Sequence, residues 1–342
     1  MKNKRKKVKK VTVLYNEVKS LPFSDKDALL TEEGGREDAA IIARALSRDG
    51  YKTEIFKLTP ETVREVNSIR TDLIFNLCDG IGSFPRTEHK VPEILDHHQK
   101  PYTGANASSL ILTTNKVLTK KVFEQNGIPT PSFAVFETVP QDFPSRLEFP
   151  LFVKPVAEDC SLGISANSVV TSYARLKKEV RNLLKKYHQP VLVEEYIAGR
   201  ELNVLIIGNG REAKVLPISE IDFVEFYFGR PKFVDFKAKW VENSFSYKNT
   251  TGICPAPLSK SLQKKIENLA LKAYFVCGGR DYARIDIRLR RDGIPYFLEV
   301  NLNCDLSPEM GASRSANTFG LDYNHFIGTL TAIAARRYNF LV

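Results

Sequence analysis

Apolar and polar positions change period repeatedly along this chain. Residues 11–15 (Val-Thr-Val-Leu-Tyr) form a short run typical of a buried strand. Over residues 37–49 the apolar positions Ala39, Ile42, Ala45 and Leu46 recur at helical spacing, and Gly50 supplies the stop. Residues 52–57 and 72–77 read as the next strands. Strand and helix patterns that alternate in this way predict an α/β architecture opening with a mostly parallel sheet. No G-x-G-x-x-G follows the first strand. Gly80-Ile81-Gly82 lacks the third glycine and lies too late in the chain, so a dinucleotide-binding dehydrogenase is rejected.

The second half adds chemistry to the pattern. Residues 282–288 (Tyr-Ala-Arg-Ile-Asp-Ile-Arg) predict a strand, Arg291-Asp292-Gly293 a turn, and residues 296–303 (Tyr-Phe-Leu-Glu-Val-Asn-Leu-Asn) the returning strand. Side chains alternate across a strand, so Glu299 and Asn301 share a face, and Asp286 is expected opposite them. Two carboxylates and a carboxamide on a rigid hairpin suit Mg²⁺, which takes few protein oxygens and completes its shell with phosphate and water. The same pattern also describes a solvated polar face. Further upstream, residues 149–155 read as a strand ending in Lys154-Pro155, followed by a loop of small residues, Glu158-Asp-Cys-Ser-Leu-Gly163. A strand-borne ammonium beside loop N–H groups is one way to hold a polyphosphate. Residues 191–197 (Val-Leu-Val-Glu-Glu-Tyr-Ile) run as a strand into Gly199, where edge backbone groups can read adenine and Glu201 can reach a ribose.

Composition narrows the class. The 342 residues are 43% hydrophobic, enough for two or three domains. Cys78, Cys160, Cys254, Cys277 and Cys304 are scattered with no C-x-x-C pair, which predicts reduced thiols in a cytoplasmic protein rather than a disulfide framework or zinc site. Of the formal charge of +10, Lys2, Lys4, Arg5, Lys6, Lys7, Lys9 and Lys10 supply seven, leaving about +3 for the remainder. That tail reads as a disordered solubilising arm. The apolar run behind it is too short for a signal peptide, and no run is long enough for a membrane span. Neither a membrane nor nucleic acid is expected as partner.

The order of these segments is specific. From about residue 96 onward the chain resembles the ATP-grasp ligases, and among them the D-alanine–D-alanine ligase family. The segments that carry the resemblance are Pro101-Tyr102-Thr103-Gly104, Thr114-Asn115-Lys116 with Lys120, Val153-Lys154-Pro155, Val193-Glu194-Glu195-Tyr196-Ile197 with Gly199 and Glu201, Asp235-Phe-Lys-Ala-Lys239, Cys254-Pro-Ala-Pro257, Ala283-Arg284-Ile285-Asp286 and Leu298-Glu299-Val300-Asn301. The first hundred residues match more loosely.

After the basic tail over 1–10, the resemblance implies a Rossmann-like domain over 11–105, a small central ATP-grasp domain over 106–192 and a C-terminal ATP-grasp domain over 193–342. It implies ATP and two Mg²⁺ ions as cofactors, with Mn²⁺ as a substitute. Small-molecule carboxylate and amine substrates, amino acids or peptides, would be joined through an acyl phosphate. Homodimerisation is allowed but not required. Carried over by position, Lys116 and Lys154 would hold the α- and β-phosphates. Glu194, Glu195, Tyr196 and Ile197 would frame adenine, with Glu201 on the ribose. Lys239, in a long lid-like connection over 222–251, would reach the γ-phosphate. Asp286, Glu299 and Asn301 would bind metal. Arg284 would stabilise the oxyanion, with Ser161 and Asp305 beside the reacting centre.

Three segments depart from the family. Its Asn-x-x-Pro-Gly-Leu becomes Asn301-Leu-Asn-Cys-Asp305-Leu306. The first serine of its phosphate loop becomes Cys160. The tyrosine after the lid lysine becomes Trp240. The glutamate that the family links to these groups corresponds to Glu32, Glu33 or Glu37. The nucleotide side is thus expected intact and the amino-acid side rebuilt, so D-alanyl-D-alanine is not the assumed product; a catalytically silent nucleotide-binding protein is the alternative from another class. Cys160 is expected to pack or position, His97 and His98 to finish a helix, the aromatics of 223–228 to anchor a loop, and Cys254 and Cys277 to be ordinary buried residues.

Overall fold

The computed structural model describes residues 7–17, 35–82, 86–224 and 231–341. Lys2 to Lys6 of the basic tail, Glu32, Glu33 and the aromatics Phe226, Tyr227 and Phe228 lie outside them.

Three sheets organise the described chain. In the first, Lys10–Asn16 lies between Lys52–Leu58 and Leu73–Asn76, all parallel. Both faces of the central strand are buried. Val11, Val13 and Tyr15 meet Ala39, Ile42 and Leu46 of the helix Gly35–Arg48, while Leu14 joins Leu58, Ile74, Leu95 and Tyr102 on the opposite side. Burial on two faces explains a continuous apolar run in place of strict alternation. The helix Tyr323–Arg337 closes the first of these cores with Phe326, Ile327 and Leu330. Gly328 permits that approach, because a Cβ there would stand 1.8 Å from Asp49 Oδ2.

The second sheet is antiparallel, in the order Phe133–Phe136, Val191–Glu195, Leu151–Pro155, Val169–Val170. Helix Tyr173–Tyr187, capped by Ser172, packs Leu176, Val180 and Leu183 against Val153, Val191 and Val193. The third runs Thr250–Ile253, Ser219–Phe223, Gly199–Ile207, Tyr282–Arg290, Pro295–Asn301, with Lys214–Val215 paired to Gly199–Ile207. Its strand Gly199–Ile207 shows why the cleft forms where it does. Leu202, Val204 and Ile206 point into a core with Ile266, Ala270 and Tyr274 of helix Lys260–Val276. On the other face Leu205 and Ile207 lie under the N-terminal core, while Glu201 and Asn203 remain polar at the hairpin end.

Helices Ala107–Thr114 and Lys116–Gln125 place Leu110 and Phe123 in the core of this third sheet, not in that of the second. The fully buried Asp281 joins distant segments. It accepts from Gly104 N at 2.9 Å, Asn209 Nδ2 at 2.8 Å, and Arg337 Nε and Nη2 at 3.0 and 2.8 Å. A carboxylate removed from water needs this number of donors.

His97 ends helix Lys90–His97 and His98 is its C-cap. Cys277 is buried, whereas Cys254 is only partly covered because its thiol lies at the surface end of Thr250–Ile253, 3.4 Å from Pro217 O.

Candidate active site

Strands Tyr282–Arg290 and Pro295–Asn301 pair antiparallel, with Asp286 opposite Glu299 and Arg284 opposite Asn301. The register shifts after Asp286, so that Ile287 pairs with Phe297 and Leu298 is left over. Asn301 therefore shares the face of Asp286 but stands across from Arg284 instead. Arg284 grips Asp286 with Nε and Nη2 at 2.8 and 2.9 Å, and Asn203 Nδ2 adds a third donor at 2.8 Å. Burial pushes the Glu299 carboxyl up, but Lys116, Lys154, Arg284 and Lys239 together outweigh it and hold the group down at about 2. An ionised Glu299 is thus the natural state of this cleft.

Lys116 and Lys120 arrive from one helix and Lys154 from a strand. Asn115 caps helix Lys116–Gln125 by accepting from Val117 N and Leu118 N at 3.1 Å, which fixes Lys116 at the first helical position. Lys116 Nζ lies 2.6 Å from Glu158 O, 2.9 Å from Asp159 Oδ1 and 3.7 Å from Glu299. Lys154, near the end of Leu151–Pro155, stands 2.6 Å from Glu194 Oε1, and Lys120 stands 2.6 Å from Oε2. The Glu194 carboxylate is consequently sealed between two ammonium groups. In the next residues Glu195 N and Tyr196 N bond to Ser132 O and Pro150 O, and Ile197 O accepts from Arg288 Nε at 3.1 Å. The Ile197 N–H makes no such bond among the described residues. Glu201 receives Arg288 Nη1 at 3.0 Å.

The phosphate-loop candidate and the lid candidate are fastened together. Ser161 Oγ donates to Val234 O at 3.1 Å, Trp240 Nε1 to Cys160 O at 3.1 Å, and Phe236 N to Ile164 O at 3.3 Å. Cys160 and Ser161 adopt φ of 54° and 62°, the left-handed turn that brings the Cys160 carbonyl outward. Gly163 also has positive φ, and a Cβ there would meet Pro155 Cγ at 2.7 Å. Lys239 is exposed on the short helix Phe236–Trp240, with its charge felt by both Glu201 and Glu299. The lid candidate therefore leans over the cleft. Asp305 Oδ1 accepts from Ser307 N at 2.8 Å, and Ser307 Oγ lies 3.3 Å from Asp38 Oδ1.

Asn203, Lys120, Asp159 and Asp38 were given no role from the sequence. Asn203 follows Glu201 by two residues and so shares its face, a legible signal. The contacts of the other three depend on distant segments.

Among the described residues no three His, Cys, Asp or Glu side chains cluster as a metal site. The oxygen set at the hairpin is instead Asp286, Glu299 and the Asn301 carboxamide. It fits Mg²⁺, which is satisfied by few protein oxygens when phosphates supply the rest. No helix among the described residues is long and apolar enough to cross a membrane.

A small antiparallel sheet carrying Lys154, set against a larger one whose hairpin carries acids, with further lysines on a helix and on the lid candidate, is the arrangement of the ATP-grasp class of ligases. Residues 122–332 match the family described as D-ala D-ala ligase C-terminus. The chain belongs to the D-alanine–D-alanine ligase family, and it is a ligase that forms carbon–nitrogen bonds. It is 35% identical over 266 residues to the uncharacterized protein y4sG of Sinorhizobium fredii, covering 78% of this chain and 75% of that one. It is 28% identical over 296 residues to the D-alanine–D-alanine ligase of Bordetella petrii, covering 86% and 85%. The D-alanine–D-alanine ligase of Bacillus anthracis, solved in complex with ATP, superposes with a TM-score of 0.73 at 20% identity, covering 96% and 98% of the two chains, a likeness of fold.

Proposed function

We propose that this chain uses ATP and Mg²⁺ in the cytoplasm to join the carboxylate of one amino acid or peptide to the amine of another, through an acyl phosphate. The observation that carries this reading is the single polar face of Arg284, Asp286, Glu299 and Asn301, with Lys116 Nζ 3.7 Å from Glu299. A carboxylate is a poor electrophile, and two anions must meet for it to be activated. Clustered cations suit that encounter.

In this reading Lys116 and Lys154 bind the α- and β-phosphates, and Lys239 the γ-phosphate. The segment from Glu194 to Ile197 frames adenine through its backbone, and Glu201 orients the ribose. Asp286, Glu299 and Asn301 would hold Mg²⁺, whose charge offsets that of the phosphate oxygens. A substrate carboxylate oxygen bonds to the γ-phosphorus as the bond to the β-phosphate oxygen breaks, releasing ADP. The amine then bonds to the acyl carbon and loses its proton, and phosphate departs as the tetrahedral centre collapses. The Arg284 guanidinium, kept charged by Asp286, neutralises the oxygen on that centre. Ser161 fastens the loop that covers the phosphates.

A second reading, D-alanine–D-alanine ligase itself, is favoured by the names of the Bordetella relatives. Against it stand Cys160, Trp240 and Asp305, which alter the amino-acid side. Phosphate release measured across amino acids and dipeptides, with mass spectrometry of products, tests both. A new amide with stoichiometric ADP supports ligation; D-alanyl-D-alanine as the sole product supports the second reading. No turnover with any pair, despite tight nucleotide binding, would sink both.

A further inference from the structure

Behind the candidate phosphate face, two lysines share one glutamate away from water. Lys120, Lys154 and Glu194 are 0%, 5% and 2% exposed. Their ion pairs are both 2.6 Å, one to each carboxylate oxygen. The two ammonium groups are anchored differently. Lys120 also donates to Thr130 Oγ1 at 2.7 Å, and that hydroxyl donates to Phe297 O at 2.8 Å on the hairpin strand. Lys154 has no second hydrogen-bonding partner among the described residues; its Nζ sits 5.7 Å over the Phe152 ring. Lys154 is therefore the one able to move, and its charge already reaches Glu299.

One carboxylate between two ammonium groups leaves a cation in excess, and a buried excess cation is stabilised by an arriving anion. The converse constraint matters equally. If Lys154 turned to a phosphate while it was the sole counterion of Glu194, a buried carboxylate would be stranded. Lys120 removes that obstacle. We propose that Lys120 is a positioning residue for nucleotide binding: it keeps Glu194 neutralised, so that Lys154 is released to a phosphate oxygen. This rests on the reading of Lys154 as a phosphate ligand.

The quantity to measure is the phosphate increment, the ratio of adenosine to ADP dissociation constants, taken by calorimetry with Mg²⁺ on the purified protein. The ratio cancels any change in adenine contacts. Lys154→Met should reduce the increment roughly tenfold or more, the scale of one lost charge-assisted contact. Lys120→Met should reduce it by a similar factor with adenosine affinity unchanged, because Lys154 is then pinned to Glu194. Lys120→Met combined with Glu194→Gln should restore the increment to within about threefold, since no carboxylate remains to hold Lys154. Lys120→Gln keeps donors for Glu194 and Thr130 and repeats the test if the Met variant does not fold. A normal increment in the folded Lys120 variants, equal losses for adenosine and ADP, or no restoration in the double variant would overturn the proposal. A normal increment in Lys154→Met would overturn instead the phosphate-ligand reading beneath it.

Discussion

Trp240 donates its indole N–H to the main-chain carbonyl of Cys160 at 3.1 Å, fastening the lid candidate to the phosphate-loop candidate eighty positions earlier. Lys239 immediately precedes Trp240 on helix Phe236–Trp240, so the indole also restricts where the lysine can reach. Trp240→Phe keeps an aromatic ring and removes the donor. A hydrogen bond contributes about 0.5–1.5 kcal/mol, so kcat/KM for ATP should fall about two- to tenfold. Cys160→Ser should leave it within about twofold, because the contact uses the backbone. Steady-state kinetics on both variants check this, and a Cys160→Ser loss as large as that of Trp240→Phe would show that the thiol, not the carbonyl, matters.

Closure of the lid candidate makes a separate prediction. Residues 231–251 hold two short helices, Phe236–Trp240 and Phe245–Lys248, tied to the neighbouring loop by few hydrogen bonds. Such segments open more readily than packed strands. Limited proteolysis within 222–251 should slow severalfold when ATP and Mg²⁺ are added. Equal cleavage with and without them would argue against a nucleotide-closed lid.

Glu299→Gln removes the charge that Lys116, Lys154, Arg284 and Lys239 hold ionised, and leaves an amide of the same shape. Ligation should drop by about 10²-fold or more, because a neutral oxygen balances Mg²⁺ charge poorly. The variant should still fold but melt somewhat lower, because the four cations lose the charge that offsets them. Near-parental turnover in the folded variant would refute the metal assignment.

The Asp305 side chain closes a turn by accepting from Ser307 N at 2.8 Å, the local role open to any aspartate two residues before an amide. Its charge has a second effect: burial raises the Asp38 carboxyl and Asp305 raises it further. Asp305→Asn preserves a turn acceptor and deletes the charge. If the carboxylate also faces a substrate ammonium, KM for the amino-group-bearing substrate should rise about tenfold at unchanged thermal stability. Unchanged KM across the substrate panel would leave Asp305 as a turn residue alone.

How much was legible varies with the range of the interaction. Alternation alone put Glu299 with Asn301, because a pleated strand sends every second side chain to one face. The apolar run at 11–15 and the helical period after residue 37 likewise located Lys10–Asn16 and Gly35–Arg48 to within two residues. Alternation could not say that Asn301 faces Arg284, since that register depends on the irregularity after Asp286 and on pairing with Gly199–Ile207. Nor could it seal the Glu194 carboxylate. Its burial needs Lys120 from a helix seventy-four positions earlier, and that helix packs on the third sheet through Phe123. The fastening of Trp240 to Cys160 has the same character. Local spacing determines which side of an element a residue occupies, because backbone geometry repeats over two or four residues. What lies on that side was decided only when distant segments packed, because their contacts carry no periodicity in the chain.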